Sequence, residues 1–151
     1  MLRTLLTVSV FVLLFSSASR WGWLGARFVS RDPVVSILGL VFTAAGVGLA
    51  MWARYVLGRN WSAAVGLKHS HELIRGGPYA RIRHPIYSGV ILGLIGTALL
   101  IGEWRGLIAL AALTISWLFK AQREEALLAT EFGLAFAEHR AHTGMFLPRV
   151  R

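Results

Sequence analysis

The residues with chemistry to offer are few, and most of them sit in two stretches. One aspartate, six glutamates and five histidines are the whole stock of carboxylate and imidazole, and there is no cysteine. That excludes disulfides, thiolate nucleophiles, thiolate-held zinc and iron–sulfur clusters. The first stretch, HSHELIRGGPYARIRHPIY, runs from His69 to Tyr87. Its Gly76-Gly77-Pro78 is a turn signal, and Gly77 can take a positive φ that lets backbone approach a ligand. His84 precedes Pro85, which biases its backbone away from helix, while Pro85 suits a helix's first turn. Arg83 and His84 therefore fall at a helix N-terminus beside free N–H groups, a place that favours a carboxylate or phosphate. The same residues also read as a basic interfacial anchor, with Tyr79 and Tyr87 at headgroup depth.

The second stretch, KAQREEALLATEFGLAFAEHR, runs from Lys120 to Arg140. On a helix, Lys120, Glu124, Leu128 and Phe132 share one side, and Arg123 with Leu127 lies on a neighbouring stripe. Glu124 and Glu125 come just after an apolar run, where a carboxylate can hold a cationic group or orient an amine. An ordinary amphipathic helix with a Lys120–Glu124 pair explains the pattern equally well. The pairs His69-x-His71 and His139-x-x-His142 are far apart, acidic ligands are sparse and no HExxH occurs, so no metal site is expected. No Walker sequence occurs, and Gly46-Val47-Gly48 lies inside an apolar run rather than behind a strand, so no nucleotide loop is expected.

The elements that must position these groups are apolar. Hydrophobic residues make up 56% of the 151 and charged residues 15%, well below the roughly 25% charge of a soluble domain. The net charge of +9 suits basic loops against anionic lipid. No nucleic-acid-binding signature accompanies it, so no nucleic-acid partner is expected. A lipid core admits only helices or a closed barrel, and the runs lack barrel alternation. The expectation is an all-α, polytopic transmembrane bundle of about four spans with a C-terminal amphipathic helix.

The first run, Thr4 to Ser19, would be only about 24 Å long as a helix. A signal peptide is the rival reading, with Arg3 before the run and small residues at its end. The second, Pro33 to Trp52, is the clearest span; its Gly39, Gly46 and Gly48 can permit close helix contact. The third runs from Pro85 to Gly102, with Gly89 and Gly93 as a small-residue face. The fourth runs from about Leu107 to Phe119, its helix continuing past Lys120 into water. Glu103, Trp104 and Arg105 alone separate the last two, which predicts a tight hairpin. Arg54, Arg59, Lys68, Arg75, Arg81 and Arg83 lie between the second and third spans. Lys120, Arg123, Arg140, Arg149 and Arg151 follow the fourth. Both groups are expected on the cytoplasmic side, leaving Arg20, Arg27 and Arg31 outside. Span middles carry no charge, which argues against a channel or proton pump.

In order and spacing, these motifs resemble the isoprenylcysteine carboxyl methyltransferase family in its small bacterial form, and the related phospholipid N-methyltransferases. The carriers are Gly77-Pro78-Tyr79, Arg83-His84-Pro85-Ile86-Tyr87, the helical hairpin, Arg123-Glu124-Glu125-Ala126-Leu127-Leu128 and Phe132-Gly133; His71, Leu73 and Pro148 also fit. The resemblance covers residues 52–148 as a motif-bearing core within a single domain, 1–151. It implies an S-adenosyl-L-methionine-dependent methyltransferase of the bacterial inner membrane, with its site facing the cytoplasm and a lipid-like or lipidated substrate entering from the bilayer. The resemblance assigns His71, Gly77, Pro78, Tyr79, Arg83, His84, Pro85 and Tyr87 to the cofactor side. It assigns Glu124 and Glu125 to the cofactor or reaction centre, and Arg123, with Glu124, to catalysis on a carboxylate. N-methylation of an amine lipid, or a non-enzymatic protein that keeps the fold, are the alternatives.

Overall fold

The computed structural model describes residues 8–10, 12, 22–58 and 73–149. His69, His71, Arg59, Lys68 and most of the Thr4–Ser19 run lie outside the described residues. Among the described residues the long elements are all helices: α1, Pro33–Leu57; α2, Pro85–Ile101; and α3, Trp104–His142. Two 3-10 turns, Gly22–Gly25 and Gly77–Ala80, accompany them. Extended pairing is limited there to isolated bridges, Arg27 with Glu103 and Ile82 with Gly144. Two helices, α1 and α3, are long and apolar enough to cross a membrane, and α2 is a shorter apolar helix.

Local chemistry sets the helix ends. At the start of α1, Asp32 Oδ1 accepts the Val34 N–H at 2.7 Å, and the Asp32 carbonyl accepts the Ser36 N–H at 3.0 Å. This is an aspartate cap ahead of a proline at the first helical position. The helix runs five residues past Trp52 because nothing before Gly58 breaks it; Gly58 then takes φ 53, and Arg54 donates to its carbonyl. Val34, Ile37, Leu40, Val41, Val47 and Met51 remain exposed along α1, the unburied apolar face expected of a helix meeting lipid.

The described residues form two compact units: those up to Val47 with Val90–Trp117, and Gly48–Gly89 with those from Leu118 onward. In the first unit, α1 and α2 touch at backbone distance. A Cβ on Gly39 would sit 2.9 Å from the Gly96 carbonyl oxygen, and one on Gly96 would meet Gly39 O and Thr43. The closest of these approaches is Gly39 on Gly96; Gly93 also meets α1, its carbonyl 3.4 Å from Thr43 Oγ1, and Gly48 has open space around it. The hydroxyls of Thr43 and Thr97 donate to carbonyls four residues back, Gly39 O and Gly93 O, so neither brings an unpaired group into the apolar interior.

Gly102 and Glu103 alone join α2 to α3, and Gly102 has φ 65. Arg27 lies against this turn, donating from Nη1 to the Ile101 carbonyl and from Nε to Val29 O, both at 3.0 Å. One arginine that runs against the charge bias thus caps the C-terminus of α2. Arg105 and Glu103 form a buried pair at 2.6 Å. The expected fourth span and the C-terminal helix are one element, α3, interrupted at Gly133, whose φ 48 and ψ −120 are non-helical.

Candidate active site

The second unit gathers the two chemically rich stretches. Gly77 takes the expected positive φ, 58, and opens a turn in which the Tyr79 N–H donates to Gly76 O. Its missing side chain leaves room for Val56, whose Cγ2 would lie 3.0 Å from a Cβ at Gly77. The glycine thus permits a close packing contact between this turn and α1. Pro78 and Tyr79 are buried by the same turn. Burial pushes the Tyr79 phenol well above its ordinary range; Arg54 opposes the shift and Glu124 adds to it. Tyr79 is therefore a neutral donor at physiological pH.

From this turn the chain runs extended to His84, where Pro85 begins α2. The carbonyls of Gly144 and Met145 accept the N–H groups of Arg83 and His84 at 2.8 and 3.0 Å, and the Arg81 carbonyl accepts the Gly144 N–H. Ser88 Oγ donates to Phe146 O at 2.6 Å. Residues 143–146 are thereby fastened along residues 81–84. The fastening sets the side chains: the His84 and Tyr87 rings stack with centroids 5.4 Å apart, and Phe146 meets both edge-on.

Two carboxylates close on these rings. Tyr87 OH lies 2.9 Å from both oxygens of Glu124, and His84 Nδ1 lies 3.7 Å from Glu124 Oε2. Glu125 Oε1 accepts from Arg83 Nε at 2.7 Å, with both side chains under a tenth exposed. Arg140 stands 3.8 Å from the other Glu125 oxygen. Burial raises the affinity of Glu125 for a proton, but the adjacent His84 and Arg83 outweigh it and hold its carboxyl below the usual range. Arg83 also donates to the carbonyls of Thr143 and Arg140, so its charge is committed within the protein. His84 Nε2, 3.3 Å from Glu125 Oε1 but outside hydrogen-bonding geometry, is the one buried side-chain nitrogen or oxygen among the described residues that lacks a hydrogen bond. Such a group is expensive unless something else meets it.

The structure thus brings together Tyr79, Arg83, His84, Pro85, Tyr87, Glu124 and Glu125. It leaves Arg123 exposed on the adjacent stripe of α3, and His71 lies outside the described residues. Sequence reasoning missed Thr143, Met145 and Phe146. Their one local hint is Gly144, where a Cβ would run into the Leu147 carbonyl. A cleft of about 690 Å³ in the first unit is also lined by charge, including Arg27, Asp32, Glu103 and Arg105. Those four are engaged as helix caps or in the Glu103–Arg105 pair, which leaves the second unit as the better candidate.

A family model described as phospholipid methyltransferase matches residues 34–135. The chain is 32% identical over 151 residues to the cobalt-zinc-cadmium resistance protein CzcN of Cupriavidus metallidurans, covering 98% of this chain and 62% of that one. It is 30% identical over 129 residues to the protein-S-isoprenylcysteine O-methyltransferase of Schizosaccharomyces pombe, covering 82% of this chain and 53% of that one. The solved structure of a eukaryotic intramembrane Ras methyltransferase, an isoprenylcysteine carboxyl methyltransferase, superposes with a TM-score of 0.70 at 29% identity, over 97% of this chain and 52% of that one. The chain thus spans about half to three-fifths of the length of these relatives.

Proposed function

This chain belongs to the phospholipid methyltransferase family, and on that premise we propose that it is a membrane enzyme using S-adenosyl-L-methionine to methylate a carboxylate on an isoprenoid-linked or other lipid-like acceptor. The observation that carries the reading is the Glu124 carboxylate. It is held by Tyr87, its side chain is 23% exposed where that of Glu125 is 6%, and it stands beside His84 with its unmatched Nε2. The names of the isoprenylcysteine O-methyltransferase relatives support the carboxylate as acceptor.

The residues fit the methyl donor in chemical kind. When bound, that donor supplies a methyl group activated on a sulfonium, so the protein has mainly to bind, orient and exclude water. Glu124 would balance positive charge, and His84 Nε2 would meet a polar group of the donor. Tyr79, Tyr87 and Pro85 would wall the site. Arg83 and Glu125, engaged with each other, hold His84 and residues 143–146 in register. Arg123 would stand at the rim.

In this reading the run from Thr4 to Ser19 adds a span to α1, α2 and the apolar part of α3, giving four. The helix beyond Lys120 lies amphipathically at the membrane surface. Both basic regions face the cytoplasm of a bacterial inner membrane, membrane lipids surround the bundle, and the acceptor arrives from the bilayer. The test is calorimetry in mild detergent, with S-adenosylmethionine titrated into the wild-type protein, His84→Ala and Glu124→Ala. Saturable binding weakened at least tenfold by each change is the expected result. A folded wild-type protein that binds none, in detergent and in nanodiscs, would sink the proposal.

A further inference from the structure

The resemblance assigns Arg123 to a carboxylate acceptor, and this residue is exposed on the stripe beside Glu124. Lys120 contacts the cluster directly. Its Nζ lies 3.4 Å from Glu124 Oε1 and 5.1 Å from the centroid of the Tyr87 ring, and its side chain is only 15% exposed. We propose that Lys120 is the residue that selects a carboxylate acceptor over an amine. The inference rests on the methyltransferase reading above and names the group that would choose its substrate.

Three observations support it. Residues 106–119 are uncharged, so Lys120 is the first charge at the end of the apolar run. That is the depth at which a lipid-borne acceptor presents its polar head. A solvated i,i+4 pair gains little and needs no burial, whereas an ammonium taken out of water is costly and is repaid poorly by one partly exposed carboxylate. With three N–H donors and one carboxylate contact among the described residues, the ammonium keeps capacity for a second anion. Arg83, by contrast, is committed to Glu125 and to the carbonyls of Thr143 and Arg140.

The chemistry follows from the charge. An acceptor carboxylate is drawn to Lys120 already ionised. Transfer forms its O–CH3 bond as the donor's S–CH3 bond breaks, the S–C electron pair stays on sulfur, and no proton moves. A protonated amine would meet the ammonium as a like charge in a site of low dielectric and would also have to lose a proton first.

The test uses the whole protein in mild detergent with N-acetyl-S-farnesylcysteine, its carboxamide, and phosphatidylethanolamine, following labelled methyl transfer and calorimetric donor binding. The carboxamide, not itself methylated, is read as an inhibitor. Expected for the wild type is at least tenfold tighter binding of the carboxylate than of the carboxamide, and no transfer to the amine lipid. Lys120→Met should abolish that preference through the acceptor KM, with kcat and donor affinity within about threefold, and Lys120→Arg should keep it. Lys120→Gln stands in if the methionine variant does not fold. Retention of the preference in the uncharged variant overturns the inference. So does a wild-type protein that methylates the amine lipid and not the carboxylate, in which case the methyltransferase reading survives. A wild-type protein that binds no donor removes both.

Discussion

Glu124 and Glu125 are neighbours in sequence with different surroundings. Glu125 is buried against Arg83, and removing one partner of such a pair leaves the other charge unmatched, at a cost of about 3 kcal/mol. Glu125→Gln is therefore expected to lower the detergent melting temperature strongly. Glu124→Gln weakens a more open contact with Tyr87, costing about 1 kcal/mol, yet should abolish most donor binding. Equal thermal losses in the two would refute the division of labour. A pH effect belongs at this scale as well. His139 is buried, and burial, with Arg75, Arg83 and His142 nearby, holds its imidazole below its ordinary value of 6.5. The unfolded chain therefore binds the proton more readily, so this contribution is full above 6.5 and is lost as pH falls through the lowered value. Glu125 acts in the same direction below its ordinary 4.5. The melting temperature should fall from pH 7 to pH 5, and His139→Gln should flatten that slope; an unchanged slope counts against His139.

At the scale of elements, two glycines are decisive for different reasons. Gly96 has no room for a Cβ, which would meet the Gly39 carbonyl and Thr43. Gly96→Ala must therefore push α1 and α2 apart, at about 1–3 kcal/mol by the usual cost of overpacking, whereas Gly48→Ala, in open space, should be nearly silent in the same thermal scan. Gly133 has open space but an unusual backbone, φ 48 with ψ −120, a region nearly closed to other residues. Alanine there favours an unbroken helix and would redirect the segment that supplies residues 143–146. The expected result of Gly133→Ala is faster amide exchange at residues 143–146 and at Arg83 and His84, together with weakened donor binding; unchanged exchange would mean that the break is incidental.

For the whole molecule, the proposed four-span topology makes a prediction that the absence of cysteine makes easy to test. Single cysteines at Ser30 and Ala141, both exposed, should react with an impermeant maleimide from opposite faces of intact membranes; labelling from the same face would refute that topology. The sequence by itself determined the helical class, the two long apolar helices, the tight hairpin and the identity of the motifs. Uncharged run length, proline at a helix start and glycine at a helix end are local signals, written within a few residues of what they control. It also placed Lys120 on the stripe of Glu124 and Arg123 beside it, because helical periodicity reaches across several turns. Only the tertiary structure decided that Gly39 meets Gly96, that Gly77 makes room for Val56, that Arg83 is spent on Glu125, and that Thr143 to Phe146 fasten residues 81–84 ahead of α2. Each of these joins residues distant in the chain through backbone or buried charge, and contacts of that kind leave no period in a single sequence.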